Sequence, residues 1–177
     1  MELFRLARRR FLHGERLDMQ AMASELGVSR ATVYRWAGNH DRLLGEVLVD
    51  LTRKTWALAE AGVDARGPER ILTIYRRVLT MLVTSDPYRT ALLRDPRQLL
   101  RVATRDGRVI RTVNDLCADL LAREEAAGEL LLPTDHRALA SAMVRIGEAT
   151  IYADLLAGAD PDIDRSVAIV ALLLATP

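Results

Sequence analysis

Four hydrogen-bonding side chains lie close together in the segment MQAMASELGVSRATVYRW, residues 19–36. They are Arg30, Thr32, Tyr34 and Arg35, and they follow Ser29, a residue type that commonly caps the first turn of a helix. On a helix that starts after Ser29, these side chains point outward. Arginine donates paired hydrogen bonds to guanine, and hydroxyl groups reach bases or phosphates. The pattern is typical of a helix that enters the major groove of DNA.

Two helices joined by a tight turn would hold these side chains in place. One is expected to start after Asp18 and end at Leu26, and Gly27 then permits the positive φ that a turn of three to four residues requires. Ala23 is small where the two helices would cross closely. The expected shared core contains Met22, Leu26, Val28, Val33 and Trp36. The spacing predicts a helix-turn-helix, although some small helical bundles also contain a glycine turn.

The positive charge of the chain is concentrated near its amino-terminal end. The formal net charge is only +1, from 25 basic and 24 acidic residues. Residues 1–45 carry eight arginines and five acidic residues, a net charge of +3, whereas residues 46–177 carry 17 basic and 19 acidic residues, a net charge of −2. This asymmetry gives a basic end suited to DNA and an acidic remainder.

Apolar residues that recur three and four positions apart predict an all-α chain of about nine helices. The longest uninterrupted apolar run, residues 167–175, has nine residues, against roughly 20 for a membrane-spanning helix. The first ten residues, MELFRLARRR, lack the apolar stretch of a secretion signal. With a single cysteine, these features predict a cytoplasmic location and no membrane partner.

The segment GVSRATVYRWAGNHDRLLGEVL, residues 27–48, resembles the signature of the TetR family of bacterial transcriptional regulators. The resemblance implies an all-α fold with two domains. Residues 1–45 would form a three-helix DNA-binding domain with the helix-turn-helix. Residues 46–177 would form a helical bundle that binds an effector and dimerises.

The resemblance also implies roles for particular side chains. Arg30 and Arg35 would probe bases or phosphates, and Thr32, Tyr34 and Trp36 would mainly contact the DNA backbone. The residues expected at the DNA are Ser29, Arg30, Thr32, Tyr34, Arg35, Trp36 and His40. The chain departs from the family pattern at Ala37, where an aromatic residue is common, and at His40, where lysine is common, although histidine also donates to phosphate. Many family members also carry a basic arm before the first helix, and we expect no minor-groove contact by such an arm here.

Two further segments resemble a subgroup of that family. They are FRLARRRFLHGERLDMQ, residues 4–20, and VRIGEATIYADLLAGADPDID, residues 144–164. The subgroup is the QsdR-like one, typified by a regulator of lactone-signal degradation. The resemblance implies a lactone or another lipophilic acyl compound as the effector.

Two carboxy-terminal segments are apolar on more than one face. The helix predicted for residues 135–156 is apolar nearly all round, and residues 163–174 contain no polar position after Ser166. Left uncovered, these surfaces would form a large apolar patch. We therefore expect a twofold homodimer built from residues 135–156 and 161–175. The small residues expected to allow close approach are Ala140, Ala142, Gly147 and Ala149. The alternative is a subunit that buries both segments by itself.

An effector pocket in such a bundle should be apolar with a few polar groups. The candidate residues are Tyr75, Met81, Tyr88, Leu92, Leu116, Met143, Glu148 and Tyr152. Core packing is an alternative for each of them, and Arg145 and Glu148 are spaced to pair on a helix surface. Tyr75 and Tyr152 are the leading candidates because a buried phenol needs a hydrogen-bonding partner.

These patterns together predict a repressor that binds operator DNA as a homodimer and is released by a small lipophilic effector. No cofactor is expected. One alternative is a constitutive DNA-binding regulator without an effector, and a less favoured one is a helical enzyme. The three histidines do not share a metal-ligand spacing, and Cys117 lies between apolar residues in a predicted helix. Asp160, Asp162 and Asp164 alternate like calcium ligands but fit a helix cap better. We therefore predict neither a catalytic nor a metal site.

Overall fold

The computed structural model describes residues 2–105, 107–132 and 134–175, and the regular elements in these ranges are all helical. In chain order they are α1 (Glu2–Leu12), α2 (Met19–Glu25), α3 (Arg30–Ala37), α4 (His40–Glu60), α5 (Gly67–Val83), α6 (Asp86–Arg94), α7 (Pro96–Leu100), a π-helical turn (Arg101–Arg105), α8 (Arg108–Ala126), α9 (His136–Ile151), α10 (Ala153–Ala157) and α11 (Ile163–Leu174). The all-α prediction is confirmed. The expected number of about nine helices was too low, because five-residue helices such as α7 and α10 show no apolar periodicity.

The chain divides into two compact units. The first comprises the residues up to 52 together with residues 85–110, and the second comprises residues 53–84 together with those from 111 onward. Helices α4 and α8 therefore contribute residues to both units. In the described parts of the chain, no helix combines the length and the apolar character that crossing a bilayer requires.

The functional division between residues 1–45 and residues 46–177 stays a prediction, and its outer limits, Met1 and Pro177, lie outside the described residues. Residues 85–110 pack with the amino-terminal helices. This grouping comes from long-range contacts, which the local sequence pattern does not reveal.

Local signals account for three helix starts in the first unit. Asp18 caps α2, Ser29 caps α3 and Asn39 caps α4, each through a side-chain oxygen that accepts from a backbone N–H two or three positions later. Gly27 has a φ of +65° in the turn between α2 and α3, as expected from its position. The helix-turn-helix geometry therefore follows from side chains next to the turn.

The core between α2 and α3 differs from the expectation at one position. Met22 and Val33 are fully buried, but Trp36 is 52% exposed. Ala37 is buried in its place, because it lies four residues after Val33 and so on the same helix face. The predicted core residues that are half-buried are Leu26 and Val28. Trp36 is therefore a surface residue.

Helices α6 and α7 pack in the first unit. The Arg94 guanidinium donates to the carbonyl of Gly14 at the end of α1. A Cβ on Gly14 would lie 3.3 Å from the Thr90 side chain. Leu92 and Leu99 are buried. These contacts tie α6 to the end of α1.

The core of the second unit forms where α5 packs against α9 and α11. A Cβ on Gly147 would lie 3.3 Å from both the Leu79 side chain and the Tyr75 hydroxyl. Gly147 and Ala140 are buried within the unit. The expectation that these two residues allow close approach of a second subunit was therefore wrong, because both are buried within the chain, and Gly147 lets α9 approach α5.

The single helix predicted for residues 135–156 is divided in the structure. Helix α9 starts after Asp135, whose carboxylate accepts from two backbone N–H groups. At Tyr152 the backbone leaves the helical region, with φ −107° and ψ 18°, and α10 follows. The Tyr152 side chain is buried whereas Leu155 and Leu156 are exposed. Because the apolar pattern continues through Tyr152, periodicity could not reveal the break.

Candidate nucleic-acid interface

Helix α3 presents polar and aromatic side chains on its exposed surface. Arg30, Tyr34, Arg35 and Trp36 are exposed, whereas Val33 and Ala37 are buried. Exposed tryptophan, tyrosine and arginine side chains on one short helix are a composition found where proteins bind partners rather than water. Helix α3 therefore carries the strongest candidate for a binding surface in the first unit.

Arg30 and Tyr34 support each other on this face. The Arg30 Nη2 atom donates to the Tyr34 hydroxyl at 3.3 Å, and its guanidinium carbon lies 5.2 Å from the centre of the Tyr34 ring. This is the stacked geometry of a cation–π pair at four-residue helical spacing. The hydrogen bond from Arg30 to Tyr34 raises the pKa of Arg30, so the guanidinium stays charged. The pair holds a positive charge near the start of α3.

The first turn of α3 is held by Ser29. Its hydroxyl oxygen accepts from the Thr32 backbone N–H at 3.1 Å and lies 3.0 Å from the Thr32 hydroxyl. These bonds satisfy one of the four N–H groups that a helix start leaves unpaired. The others, with the helix dipole, favour an anion such as phosphate at this point. Contact of Ser29 or Thr32 with DNA itself stays a prediction.

His40 is the first residue of α4 and belongs to a hydrogen-bonded cluster. Its Nδ1 atom lies 2.8 Å from the side-chain nitrogen of Gln98 in α7, and the same nitrogen lies 2.7 Å from an Asp41 carboxylate oxygen. Arg101 donates to the other Asp41 oxygen from Nη2 at 2.6 Å and from Nε at 3.0 Å. Gln98 and Arg101 lie about 60 residues further along the chain, so nothing in the local pattern points to them.

Asp41 is ionised in this cluster. Burial acts to raise the pKa of Asp41, but the Gln98 hydrogen bond and the Arg101 guanidinium outweigh it and lower the pKa below its usual value. The carboxylate therefore remains a pure hydrogen-bond acceptor at neutral pH. Its role is to hold α7 and the π-helical turn against the start of α4.

Some arginines of α1 act within the protein. Arg10 donates to Glu25 of α2 at 2.8 Å, and Arg9 donates to the other oxygen of the same carboxylate. The hydrogen bond from Arg10 is the largest cause of a lowered pKa at Glu25. These residues join α1 to α2 and so hold the base of the helix-turn-helix.

A cavity of about 490 Å³ lies beside this face in the first unit. Its walls include Arg30, Tyr34 and His40, together with Arg94 from α6 and Gln98 from α7. The structure therefore brings three of the seven predicted DNA-contact residues to one cavity. It places Arg35 and Trp36 on the exposed surface of α3.

The eight candidate effector residues fall in both units. Tyr88 and Leu92 lie on α6 in the first unit, and the remaining six lie in the second. Tyr75 donates to the Met143 carbonyl at 3.1 Å, and burial raises the pKa of this phenol. The Tyr75 hydroxyl therefore already has partners within its own unit, the Met143 carbonyl and the Ser166 side chain.

The other candidates have varied surroundings. Tyr152 is buried, whereas Met81 is 36% exposed. Arg145 lies 2.6 Å from Glu148, so their spacing does produce an ion pair. Leu116 lines a cavity of about 440 Å³ in the second unit. The other residues around that cavity are Trp56, Glu60, Asp119, Ala122, Arg123 and Ala126.

The residues weighed for catalysis or metal binding lie in structural surroundings. Cys117 is buried, and burial raises the pKa of its thiol to about 12. Asp162 caps α11 by accepting from the Arg165 backbone N–H at 2.9 Å. Within the described ranges, no group of three or more histidine, cysteine or acidic residues is placed to hold a metal ion.

Comparison with known proteins identifies the family. A family model described as the tetracyclin repressor-like C-terminal domain matches residues 66–175. The structure of QsdR, a TetR-family transcriptional repressor from R. erythropolis, is 34% identical in sequence and has a TM-score of 0.91 over 98% of this chain and 92% of that one. The chain belongs to the TetR family. The QsdR-like resemblance found in the sequence is thus confirmed, and the TetR-family chain is a transcriptional regulator rather than an enzyme.

A second solved structure supports the fold of the TetR-family chain. A protein from Mesorhizobium loti, described as a TetR-family transcriptional regulator, has a TM-score of 0.57 and 15% identity over 98% of this chain and 91% of that one. At this identity the likeness concerns the fold alone. Comparison with curated protein sequences gives no match.

Proposed function

We propose that this TetR-family regulator is a repressor that binds operator DNA as a homodimer through α3 and the start of α4, and that a small lipophilic effector releases it. The observation that carries the proposal is the exposed surface of α3, which presents Arg30, Tyr34, Arg35 and Trp36 to solvent. The QsdR relative is itself a transcriptional repressor, which supports the same direction of regulation here.

The proposed DNA contacts follow from the chemistry of each side chain. Arg30 and Arg35 donate to bases or phosphates, with Arg30 steadied by its stacking on Tyr34. The Tyr34 hydroxyl and the Trp36 ring contact the DNA backbone, and His40 donates to a phosphate from the start of α4. Ser29 and Thr32 present the first turn of α3 to a phosphate. Phosphate contacts set position and affinity, and base contacts set sequence preference.

The proposed homodimer uses residues 135–156 and 161–175. The buried side of α11 contains Val167 and Val170, whereas Ile169 and Leu172 are exposed on its other side, Leu172 to 75%. Helix α10 adds exposed leucines at 155 and 156. Exposed apolar side chains on neighbouring elements of one unit favour coverage by a second copy of the chain.

Two observations support an effector. The cavity of about 440 Å³ in the second unit, with Trp56 and Leu116 on its walls, falls in the size range of small-molecule sites. The likeness to QsdR covers 98% of the chain and therefore includes this unit. We propose a lactone or another lipophilic acyl compound as the effector, bound in the second unit. The predicted pocket residues include Leu116 on the wall of this cavity.

Effector binding would act on the spacing of the two recognition helices. In a twofold dimer these helices enter successive major grooves about 34 Å apart on one face of the DNA. An effector that prefers a different spacing weakens DNA binding by the difference in its affinity for the two states, typically about 1–3 kcal/mol. Helix α4 is suited to this role because it contributes to both units.

The DNA contacts are tested by single substitutions on α3. Tyr34→Ala should weaken binding to all sequences, because it removes a backbone contact and the support of Arg30. Arg35→Ala should lower affinity for the preferred sequence by about 5- to 150-fold if it reads a base. Arg111→Ala, an exposed arginine on α8, is the matched control and should bind as the wild type does. Fluorescence anisotropy with duplexes from upstream of the protein's own gene measures these changes.

The effector is tested separately. Operator affinity is measured with and without lactones and acyl compounds of increasing chain length. A loss of affinity of about 5- to 150-fold with one of these classes supports the proposal. If no compound changes DNA affinity, the regulator is constitutive and the effector part of the proposal is wrong.

A further inference from the structure

We infer that Gln98 is a positioning residue for DNA binding. Its amide fixes the tautomer of His40, so that the imidazole carries its proton on Nε2. This Nε2–H group is the donor to a DNA phosphate. The inference deepens the proposed function and rests on it for the phosphate contact. It adds a residue of α7, outside the helix-turn-helix, to the set that determines DNA affinity.

The orientation of the Gln98 amide follows from Asp41. The amide group ends in one nitrogen and one oxygen, and the atom facing the cluster lies 2.7 Å from an Asp41 carboxylate oxygen. An amide oxygen at that distance from a carboxylate oxygen would place two acceptors in contact, so the nitrogen must occupy the position. The same nitrogen lies 2.8 Å from His40 Nδ1. Its two hydrogens therefore serve the carboxylate and the imidazole.

His40 Nδ1 accepts in this arrangement. An amide nitrogen only donates, so the Nδ1 atom that faces it must present a lone pair. Asp41 does not compete as the partner of a proton on Nδ1, because its nearest oxygen lies 3.9 Å from that atom, beyond hydrogen-bonding distance. Arg101 holds the other carboxylate oxygen and keeps the acid in place. The neutral imidazole therefore carries its proton on Nε2.

This tautomer suits a contact with phosphate. His40 is the first residue of α4, where the unpaired N–H groups of the helix start favour an anion. His40 lines the same cavity as Arg30 and Tyr34. Without the Gln98 amide the ring would exchange tautomers, and for part of the time Nε2 would be an acceptor that repels phosphate.

Helix α7 holds Gln98 in place for this role. The Asp95 carboxylate caps α7 by accepting from the Gln98 backbone N–H at 2.9 Å. The next residue of α7, Leu99, is buried and anchors the helix. A fixed backbone and a side chain with two partners leave the amide few alternative positions.

The tautomer is measured directly by ¹⁵N NMR of the imidazole nitrogens near pH ~8, where ordinary histidines are neutral. The chain has three histidines, and His40→Ala assigns the signal. We expect Nδ1 of His40 to be unprotonated and Nε2 protonated in the wild type. Gln98→Leu should give a mixture of tautomers, and Gln98→Glu, whose carboxylate accepts, should move the proton to Nδ1. A wild-type proton on Nδ1, or variants identical to the wild type, would overturn the inference.

DNA affinity tests the consequence. His40→Ala should lower operator affinity about fivefold at pH ~8. The slope of log affinity against log salt should not change, because a neutral donor releases no counterion; a charged contact would change it by about 0.9. Gln98→Leu should cause a smaller loss, and adding it to His40→Ala should cause no further loss. Glu69→Leu, an exposed polar residue on α5 in the second unit, is the control and should bind as the wild type does.

The outcomes separate the two proposals. Additive losses in the double variant show that Gln98 acts independently of His40 and overturn the inference. If the tautomers behave as expected but His40→Ala binds DNA with wild-type affinity, His40 makes no phosphate contact and the inference is wrong as a statement about DNA binding. Failure of the α3 variants to weaken binding would instead contradict the proposed function.

Discussion

The exposed leucine at position 172 gives a quantitative test of the proposed dimer. Leu172 lies on α11 and is 75% exposed, so its truncation to alanine removes little packing within the subunit. Full burial of a leucine side chain contributes about 1.5–3 kcal/mol. Burial of three quarters of it therefore contributes about 1–2 kcal/mol per subunit, and twofold symmetry doubles this to about 2–4 kcal/mol per dimer. Leu172→Ala should raise the dimer dissociation constant by roughly 30- to 1000-fold.

Sedimentation equilibrium over a range of concentrations measures this change. The matched control is Leu93→Ala on α6, where a leucine is 69% exposed outside both predicted interface segments. The control should dissociate at the wild-type concentration, and thermal unfolding should show that both variants are folded. Equal dissociation constants for Leu172→Ala and the wild type would refute the placement of α11 in the interface. A wild-type chain that stays monomeric would refute the homodimer itself.

Two further predictions concern the stability of the units. Gly67 has a φ of +55°, and a Cβ there would overlap the carbonyl oxygen of Glu129. Gly62 has a φ of +65°, but a Cβ there would meet open space. Alanine at either position incurs the cost of a positive φ, about 1–2 kcal/mol. Gly67→Ala adds the steric overlap and should lower the Tm by roughly 5–15 °C, clearly more than Gly62→Ala does. Equal Tm shifts in the two variants would contradict the close approach of Gly67 to Glu129. The pKa of Asp41 is lowered in the folded state, so its contribution to stability is complete above its unfolded pKa of about 4 and is lost as the pH falls through the folded value. Urea unfolding measures the difference in the free energy of unfolding between the wild type and Asp41→Asn. This difference should be constant from pH 7 to about 5 and should shrink towards pH 3. A difference that grows in acid would contradict a lowered pKa at Asp41.

Features encoded by neighbouring residues were predictable from the sequence. The caps at Asp18 and Ser29 and the positive φ at Gly27 depend on side chains or backbone within a few positions of the turn. The all-α fold and the family followed from periodicity and from one continuous segment around α3. These are local properties, so the printed sequence contains them directly.

Features that depend on distant contacts were not predictable. Trp36 and Ala37 are adjacent on α3, and which of them is buried depends on the helices packed against it. Gly147 has the small size expected of an interface residue, yet it faces Tyr75 within its own unit. The cluster of Gln98 and His40 joins α7 to α4 across 58 positions. No single sequence indicates which distant residues will meet in this way.

The central claim is that the exposed face of α3 binds operator DNA. The most direct measurement compares the wild type with the Arg30→Ala, Tyr34→Ala, Arg35→Ala triple variant on the same duplex, with affinity and stoichiometry measured together by anisotropy. We expect saturable, salt-dependent binding of two wild-type subunits per duplex and a loss of at least about 100-fold in the folded triple variant. Equal affinity of the two proteins for the duplex would contradict it.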